Sequence, residues 1–177
     1  LIVSGLTVGT KGISRAARLT LVGLRTAGHS VISHDLSDVF ASTGEQINSL
    51  PTSRPGGVWL IHMNAPEAIV AMSRISSADW LGRYRIGYWA YELSRVPARW
   101  VAIAEVFHEI WAPSRFVADA LIASGVTRPV RVMPHPVSLS APLVTEPTRS
   151  EDFTVLAMGD LKSSAARKNL IGAISIY

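Results

Sequence analysis

The chain has 177 residues, which suffice for one full domain and part of a second, and 48% of them are hydrophobic, so a sizeable core can form. No apolar run approaches the roughly 20 residues of a membrane-spanning helix, and the absence of cysteine excludes disulfide bonds and thiolate metal sites. The formal net charge of +4 suits nucleotide phosphates, anionic lipid headgroups or nucleic acid, with an ordinary basic surface as an equal alternative. The arginines are scattered singly and do not alternate with aromatic residues, which argues against nucleic acid.

Strand-like apolar runs alternate with amphipathic helical stretches, which is typical of a parallel α/β sheet flanked by helices. We predict the first strand at "LIVSG", then a glycine-containing loop that ends at Gly12, then a helix over "SRAARLTLVGLRTAG". Helical spacing puts Ala17, Leu21 and Leu24 on one face of that helix, and Gly28 can end it in a left-handed conformation.

The same alternation continues to residue 137. Ser114 is a natural N-cap and Gly125 a natural stop for one later helix, and Pro66 stands in the first turn of another, where proline is tolerated. Further strands are predicted at "HSVISH", "GVWLIHMN", "RIGYWAYE", "EIWAP" and "PVRVMPHPV". Further helices are predicted at "APEAIVAMSRIS", "PARWVAIAEVF" and "SRFVADALIASG". Residues 1–137 are therefore expected to form one Rossmann-like domain.

A change of composition at residues 138–152 predicts an interdomain linker, because "SLSAPLVTEPTRSED" contains two prolines and several hydroxyl side chains. After it, "FTVLAMG" predicts a strand that opens a second domain over residues 153–177, and a helix follows. One strand and one helix cannot bury themselves. We expect them to pack on the first domain, on another copy of the chain in a homo-oligomer, or on further residues. The chain is thus expected to be the front half of a two-domain protein.

Two loops are candidate ligand contacts, because ligands of open α/β sheets gather where strands end and helices begin. The first, "GLTVGTKGISRAAR", brings Gly12, Ser14 and Arg15 next to free helical N–H groups that favour an anion. It matches neither G-x-G-x-x-G nor the phosphate loop that ends in G-K-[ST], and a tight turn is the alternative.

The second loop, "GDLKSSAARKN", follows the predicted strand of the second domain. Its candidate phosphate contacts are Gly159, Ser163, Arg167 and Lys168. A solvated basic helix start is the alternative, but Lys and Arg oppose the helix dipole at that position, which favours a bound anion.

Three other side chains are candidates. His62 and Asn64 follow the strand "VWLI", whose carboxyl end is a good place to contact an acceptor; a turn pair that hydrogen-bonds the backbone is the alternative. Glu92 follows "GYWAY" and could accept a hydrogen bond from a hydroxyl or act as a base, unless it pairs with Arg95 or caps the backbone. Glu92 and His62 are therefore the candidate catalytic residues. His135, between two prolines, is expected to be structural, and no histidine spacing predicts a metal site.

Several motifs resemble the group 1 (family 4) retaining glycosyltransferases of GT-B fold. The pattern D-x-x-S-x-x-x-R-K-N, from Asp160 to Asn169, is similar to the donor-binding start of that family's second domain. The segments "GISRAARLTLVGLRTAGHSV", "GYWAYELSRVPARWVAIAEVFHEIWAPSRFVADAL" and "VRVMPHPV" resemble parts of its first domain, so the resemblance covers nearly the whole chain. It implies a GT-B N-terminal domain followed by the start of the C-terminal, nucleotide-sugar domain.

The resemblance also implies an activity: transfer of a sugar, with retention, from a nucleotide-sugar donor to a glycan, a lipid or another hydroxyl acceptor. No metal and no cofactor are implied, and the leaving diphosphate can itself assist deprotonation of the acceptor in a front-face displacement. Arg167 and Lys168 would hold the diphosphate, helped by Gly159 and Ser163. The acceptor would lie near Gly12, Ser14, Arg15, His62, Asn64, Tyr91 and Glu92.

The family's E-x7-E segment, which handles the donor sugar and ribose, has no counterpart in the sequence, so the resemblance implies an incomplete donor site and no turnover by these residues alone. A non-catalytic nucleotide- or glycan-binding protein and a sugar-nucleotide epimerase are the alternatives. We expect a cytoplasmic location with peripheral contact at the inner face of the membrane.

Overall fold

The structure is a computed structural model and describes residues 1–9, 12–41, 49–52, 54, 56–137, 155–158 and 168–176. The chain divides into two compact units, Leu1–Ser138 and Leu139–Tyr177. The predicted linker, residues 138–152, lies outside the described residues.

One parallel sheet organises the first unit. Its strands are β1 (Ile2–Gly5), β2 (Ile32–Asp35), β3 (Val58–His62), β4 (Tyr84–Tyr88), β5 (Glu109–Ala112) and β6 (Val130–Val132). Within the described residues these six strands form one sheet in the order β2-β1-β3-β4-β5-β6, and every neighbouring pair is parallel. The predicted α/β class and the strands of the first domain are confirmed, and the architecture is consistent with a Rossmann-like fold.

Helices connect the strands, as parallel pairing requires. They are α1 (Gly12–Thr26), α2 (Ser37–Ala41), α3 (Ala65–Ser73), α4 (Ser77–Trp80), α5 (Ala98–Ala104) and α6 (Arg115–Ala123). The Ser114 Oγ accepts a hydrogen bond from the Val117 N–H at 3.3 Å, and Gly28 and Gly125 have φ of 85° and 99°, so the predicted cap and stops are confirmed. The short helices α2 and α4 were not predicted, because a single turn carries no readable periodicity.

The sheet has a core on each face. Along β3 the side chains alternate, so that Trp59 and Ile61 belong to one hydrophobic cluster and Leu60 to the other. The larger cluster includes buried residues of α3, α5 and α6, and the smaller one includes Leu21 of α1. Helices thus cover both faces, and loops that leave the strands for opposite faces meet at the carboxyl edge.

Trp89 anchors the larger core directly after β4. It is fully buried and makes edge contacts with Trp100 and Phe107 at centroid distances of 5.7 and 5.5 Å. A tryptophan enclosed in this way cannot stack against a bound sugar. After Trp89 the burial decreases, with Ala90 and Tyr91 half-buried and Glu92 exposed.

The second unit differs from the prediction. Residues 155–158, part of the predicted strand "FTVLAMG", are exposed and form no strand. A strand needs a neighbour for its backbone groups, and a single strand–helix unit supplies none. The helix α7 (Leu170–Ile176) follows, as predicted, and is largely exposed. Among the described helices of both units, none combines the length and the apolar character needed to cross a bilayer.

Candidate functional site

A cavity of about 650 Å³ opens in the first unit at the carboxyl ends of the strands. It is lined by the start of α1 and by residues at or just after the ends of β3, β4, β5 and β6. The strand after β1 is added on one side of the sheet and the strand after β3 on the other, so the order of the strands reverses between β1 and β3. Open α/β sheets bind their ligands at such a reversal. The volume is in the range typical of small-molecule sites. The cavity is therefore the candidate functional site.

The first turn of α1, with Gly12 and Ile13, forms one wall together with Ala16 just beyond it. Its N–H groups have no partners within the helix, and it carries no acidic side chain, so this end of the cavity is electropositive. Gly5 permits the approach of α1: a Cβ there would lie 3.2 Å from the carbonyl oxygen of His62 and 3.4 Å from the Cβ of Ala17.

The other two candidates of this loop lie off the cavity. Ser14 is buried at 2% exposure and does not line it, and Arg15 lines a neighbouring depression of about 430 Å³ beside Pro136 and Val137. Of the three predicted contacts in the first loop, the structure brings only Gly12 to the cavity.

His62 is the most buried polar group in the lining. It is the last residue of β3, it is 1% exposed, and neither ring nitrogen has a hydrogen-bond partner among the described residues. Burial, and then the proximity of His135, lower the pKa of His62 to about 4. The imidazole is therefore neutral at physiological pH. A buried polar group without a partner destabilises the fold, so His62 is a candidate for contact with a ligand.

Asn64 fixes the loop after β4. Its Oδ1 accepts a hydrogen bond from the Ala90 N–H at 2.8 Å, and its backbone carbonyl, not its side chain, begins the hydrogen bonding of α3. We predicted, as one alternative, that Asn64 bonds the backbone, and its side-chain oxygen does so. Asn64 nevertheless also lines the cavity. The loop that it fixes carries Tyr91, which packs on Trp100 at 4.9 Å, and the exposed Glu92 at the cavity rim.

Tyr88 and His135 were not predicted as site residues. The Tyr88 hydroxyl lies 2.7 Å from the Met133 carbonyl oxygen and 2.9 Å from His135 Nδ1, and both side chains line the cavity. Burial raises the pKa of Tyr88 to about 12 and also lowers the pKa of His135. A sequence clue existed for His135, because "VMPHPV" follows the last strand at the same carboxyl edge as His62.

The donor-side candidates belong to the second unit. Gly159, Ser163 and Arg167 lie outside the described residues, and Lys168 is exposed just before α7. In the part of the chain that the structure describes, no three His, Asp or Glu side chains cluster closely enough to hold a metal ion.

Comparison with known proteins gives no relative: no protein-family model, no curated protein and no solved structure matches the chain. Functional inference therefore rests on the cavity geometry together with the sequence motifs.

Proposed function

We propose that the first unit is the acceptor-side domain of a nucleotide-sugar-dependent, retaining glycosyltransferase of GT-B fold, and that the second unit is the start of its donor domain. One observation carries the proposal. Gly12, His62, Asn64 and Glu92, which the motif resemblance assigns to the acceptor side, line a single cavity at the carboxyl edge of the sheet.

The chemistry of the cavity supports a hydroxyl-bearing acceptor. The floor has neutral hydrogen-bonding groups, since the lowered pKa of His62 keeps it uncharged. Ile13, Leu93 and Val117 supply apolar lining that suits the C–H surfaces of a sugar ring. Glu92 adds a carboxylate at the rim, where it would accept a hydrogen bond from the acceptor hydroxyl.

In the proposed reaction the acceptor hydroxyl oxygen bonds to the anomeric carbon while the bond from that carbon to the diphosphate oxygen breaks. The hydroxyl proton passes to the leaving diphosphate. Glu92 and His62 orient the acceptor, and Lys168, with Gly159, Ser163 and Arg167, holds the diphosphate. No protein nucleophile takes part.

A non-catalytic glycan-binding protein is the second candidate, since the neutral His62 and the carboxylate of Glu92 would hold a sugar hydroxyl equally well without any transfer. It uses the same cavity and the same class of ligand, and it differs only in lacking transfer. Turnover of a nucleotide sugar in the presence of an acceptor, assayed in a protein that contains the complete donor domain, separates the two.

The test is a titration of the chain with methyl glycosides and with UDP- and GDP-sugars, followed by NMR chemical shifts. Glycosides should shift resonances of Tyr91 and Glu92, and Ala90→Trp should abolish those shifts because the larger side chain fills the cavity. Ala123→Trp, at an exposed position of α6 outside the lining, is the matched control and should leave them unchanged. The proposal fails if neither class of ligand moves any cavity resonance.

A further inference from the structure

The Tyr88 hydroxyl joins two groups that constrain its single proton. It lies 2.7 Å from the carbonyl oxygen of Met133, an ideal separation for an O–H···O hydrogen bond. A carbonyl oxygen only accepts, so the proton of Tyr88 must point to Met133. The Tyr88 oxygen is then an acceptor toward His135 Nδ1, which lies 2.9 Å away.

The tautomer of His135 follows from this. To donate to Tyr88, Nδ1 must carry the ring proton, and Nε2 of the neutral imidazole then keeps its lone pair. Nε2 makes no hydrogen bond to any residue in the described part of the chain, and the side chain lines the cavity. We infer that Tyr88 holds His135 in the Nδ1–H form, so that Nε2 is the hydrogen-bond acceptor that the cavity offers to a hydroxyl group of its ligand.

The segment around His135 is built to hold this geometry. The Met133 N–H donates to the Ala112 carbonyl at 2.7 Å, which fixes the carbonyl that Tyr88 uses. Pro134 and Pro136 restrict the backbone on both sides of His135. Pro136 also packs on α1 at Gly23, where an added Cβ would lie only 3.4 Å from the proline ring. His135 is thereby positioned before any ligand arrives.

Around Nε2 of His135 this arrangement favours a hydroxyl donor over an anion, in contrast to the wall formed by the start of α1, whose free N–H groups favour an anion. The Tyr88 proton is already donated to Met133, and Nε2 of His135 carries no proton, so neither group can donate a hydrogen bond to a ligand. The carboxylate of Glu92 at the rim is also an acceptor. A carboxylate or phosphate at this position would meet lone pairs, whereas a polyol hydroxyl would donate to them. Tyr88 acts through His135 and is a positioning residue. The choice of a sugar hydroxyl rests on the proposed function, but the tautomer does not.

His108 provides an internal control of opposite tautomer. Its Nδ1 accepts a hydrogen bond from the Arg85 backbone N–H at 2.9 Å, so its proton must be on Nε2. Long-range proton–nitrogen correlation spectra of the labelled chain, at a mildly alkaline pH, distinguish the two forms. We expect His135 to show the Nδ1–H pattern and His108 the Nε2–H pattern in the same spectrum, with His135→Gln used to assign the signal.

Tyr88→Phe removes only the hydroxyl and should convert His135 from the Nδ1–H form to a mixture of tautomers without changing His108. An Nε2–H form of His135 in the unmodified chain would overturn the inference, and that measurement stands even if the variant does not fold. An unchanged tautomer in a folded Tyr88→Phe variant would overturn it as well.

Methyl glycosides then test the ligand class. On binding, the His135 Nε2 resonance should move toward the protonated range, because it accepts a hydrogen bond. If Tyr91 and Glu92 respond but Nε2 does not, this inference is wrong while the proposed function stands. If no cavity resonance responds, the proposed function is wrong, and so is the proposal that a sugar hydroxyl binds at Nε2.

Discussion

The imidazole of His62 lies face to face with the phenol ring of Tyr88, with centroids 4.1 Å apart and planes inclined by 12°. The ring of His135 lies 5.3 Å from that of Tyr88 and 6.3 Å from that of His62, so three rings from β3, β4 and the segment after β6 form one cluster at the cavity. A charge on His135 would raise the cost of protonating His62, which adds to the effect of burial in lowering the pKa of His62.

The buried position of His62 predicts a pH-dependent stability. Its folded pKa of about 4 is below the usual 6.5, so the unfolded chain binds the proton first as the pH falls. The free energy of unfolding should therefore be highest above that usual value and fall by roughly 3 kcal/mol as the pH drops to the folded pKa. Urea unfolding over a pH series measures this loss.

Two variants separate the titration of His62 from its packing. His62→Phe and His62→Gln should both reduce the dependence of the unfolding free energy on pH. A smaller dependence should remain, because burial also lowers the pKa values of His34, His108 and His135. Only the phenylalanine variant should gain stability, of about 1–3 kcal/mol, because it removes two unsatisfied buried nitrogens. A full wild-type slope in either variant would show that His62 does not cause it.

The contact between Gly87 and Trp89 predicts that Gly87→Ala is destabilising. A Cβ at Gly87 would lie 2.7 Å from Trp89 Nε1, and Trp89 has no free direction because it is fully buried. Overpacking of this kind costs about 1–3 kcal/mol. Thermal unfolding measures the loss, and Gly12→Ala is the control, since a Cβ there meets nothing within 4 Å. Equal melting temperatures for the two variants would contradict the prediction.

Arg83 is predicted to be a structural cation and not part of any site. It is 5% exposed, and its side chain donates to four backbone carbonyls at 2.7–2.9 Å. The acceptors are Asp79, Gly56, Thr52 and Arg54. Lysine cannot reproduce this planar set of bonds, so Arg83→Lys should lose about 2–4 kcal/mol in chemical unfolding. Arg95→Lys, which affects one bond at an exposed residue, should lose far less, and similar losses in both would refute the assignment.

Local chemistry made most of the first unit predictable. Ser114 caps α6 through its own hydroxyl, and Gly28 and Gly125 adopt left-handed conformations that few other residues accept, so these helix boundaries could be inferred from single residues. His62 and Asn64 could be placed at the carboxyl edge because they directly follow an apolar run. A residue that directly follows a strand in the sequence must lie at the carboxyl edge of the sheet, so its place in the fold follows from the sequence.

The Tyr88–His135 pair could not be predicted in the same way. The two residues are 47 positions apart, and their contact depends on how the segment after β6 turns back toward β4. Tyr88 reads as an ordinary core residue of a strand, and flanking prolines make His135 read as a turn residue. The strand predicted in the second unit was wrong at residues 155–158 because its apolar sequence does not by itself provide a neighbouring strand to pair with.

Lys168 tests the donor side of the proposed function. It is exposed just before α7, so Lys168→Ala should leave the fold intact. If its ammonium group holds the diphosphate, the variant of a protein with the complete donor domain should bind UDP- and GDP-sugars about tenfold more weakly or worse, as expected for loss of a charged hydrogen bond. Lys168→Arg keeps the charge and should retain most of the affinity in calorimetric titrations. Equal affinities for the alanine variant and the unmodified chain would remove Lys168 from the phosphate site.

Glu92 tests the acceptor side. The residue is exposed at the cavity rim, and glutamine has nearly the same size and shape, so the Glu92→Gln variant should fold. A carboxylate that accepts a hydrogen bond from a sugar hydroxyl contributes about 1.5–3 kcal/mol, so the variant should bind methyl glycosides roughly 10- to 150-fold more weakly in NMR titrations. Glu67→Gln, at an exposed position of α3 outside the lining, is the matched control. If both variants bind glycosides as the unmodified chain does, the acceptor hydroxyl is held by the histidine pair instead, and Glu92 has no part in the site.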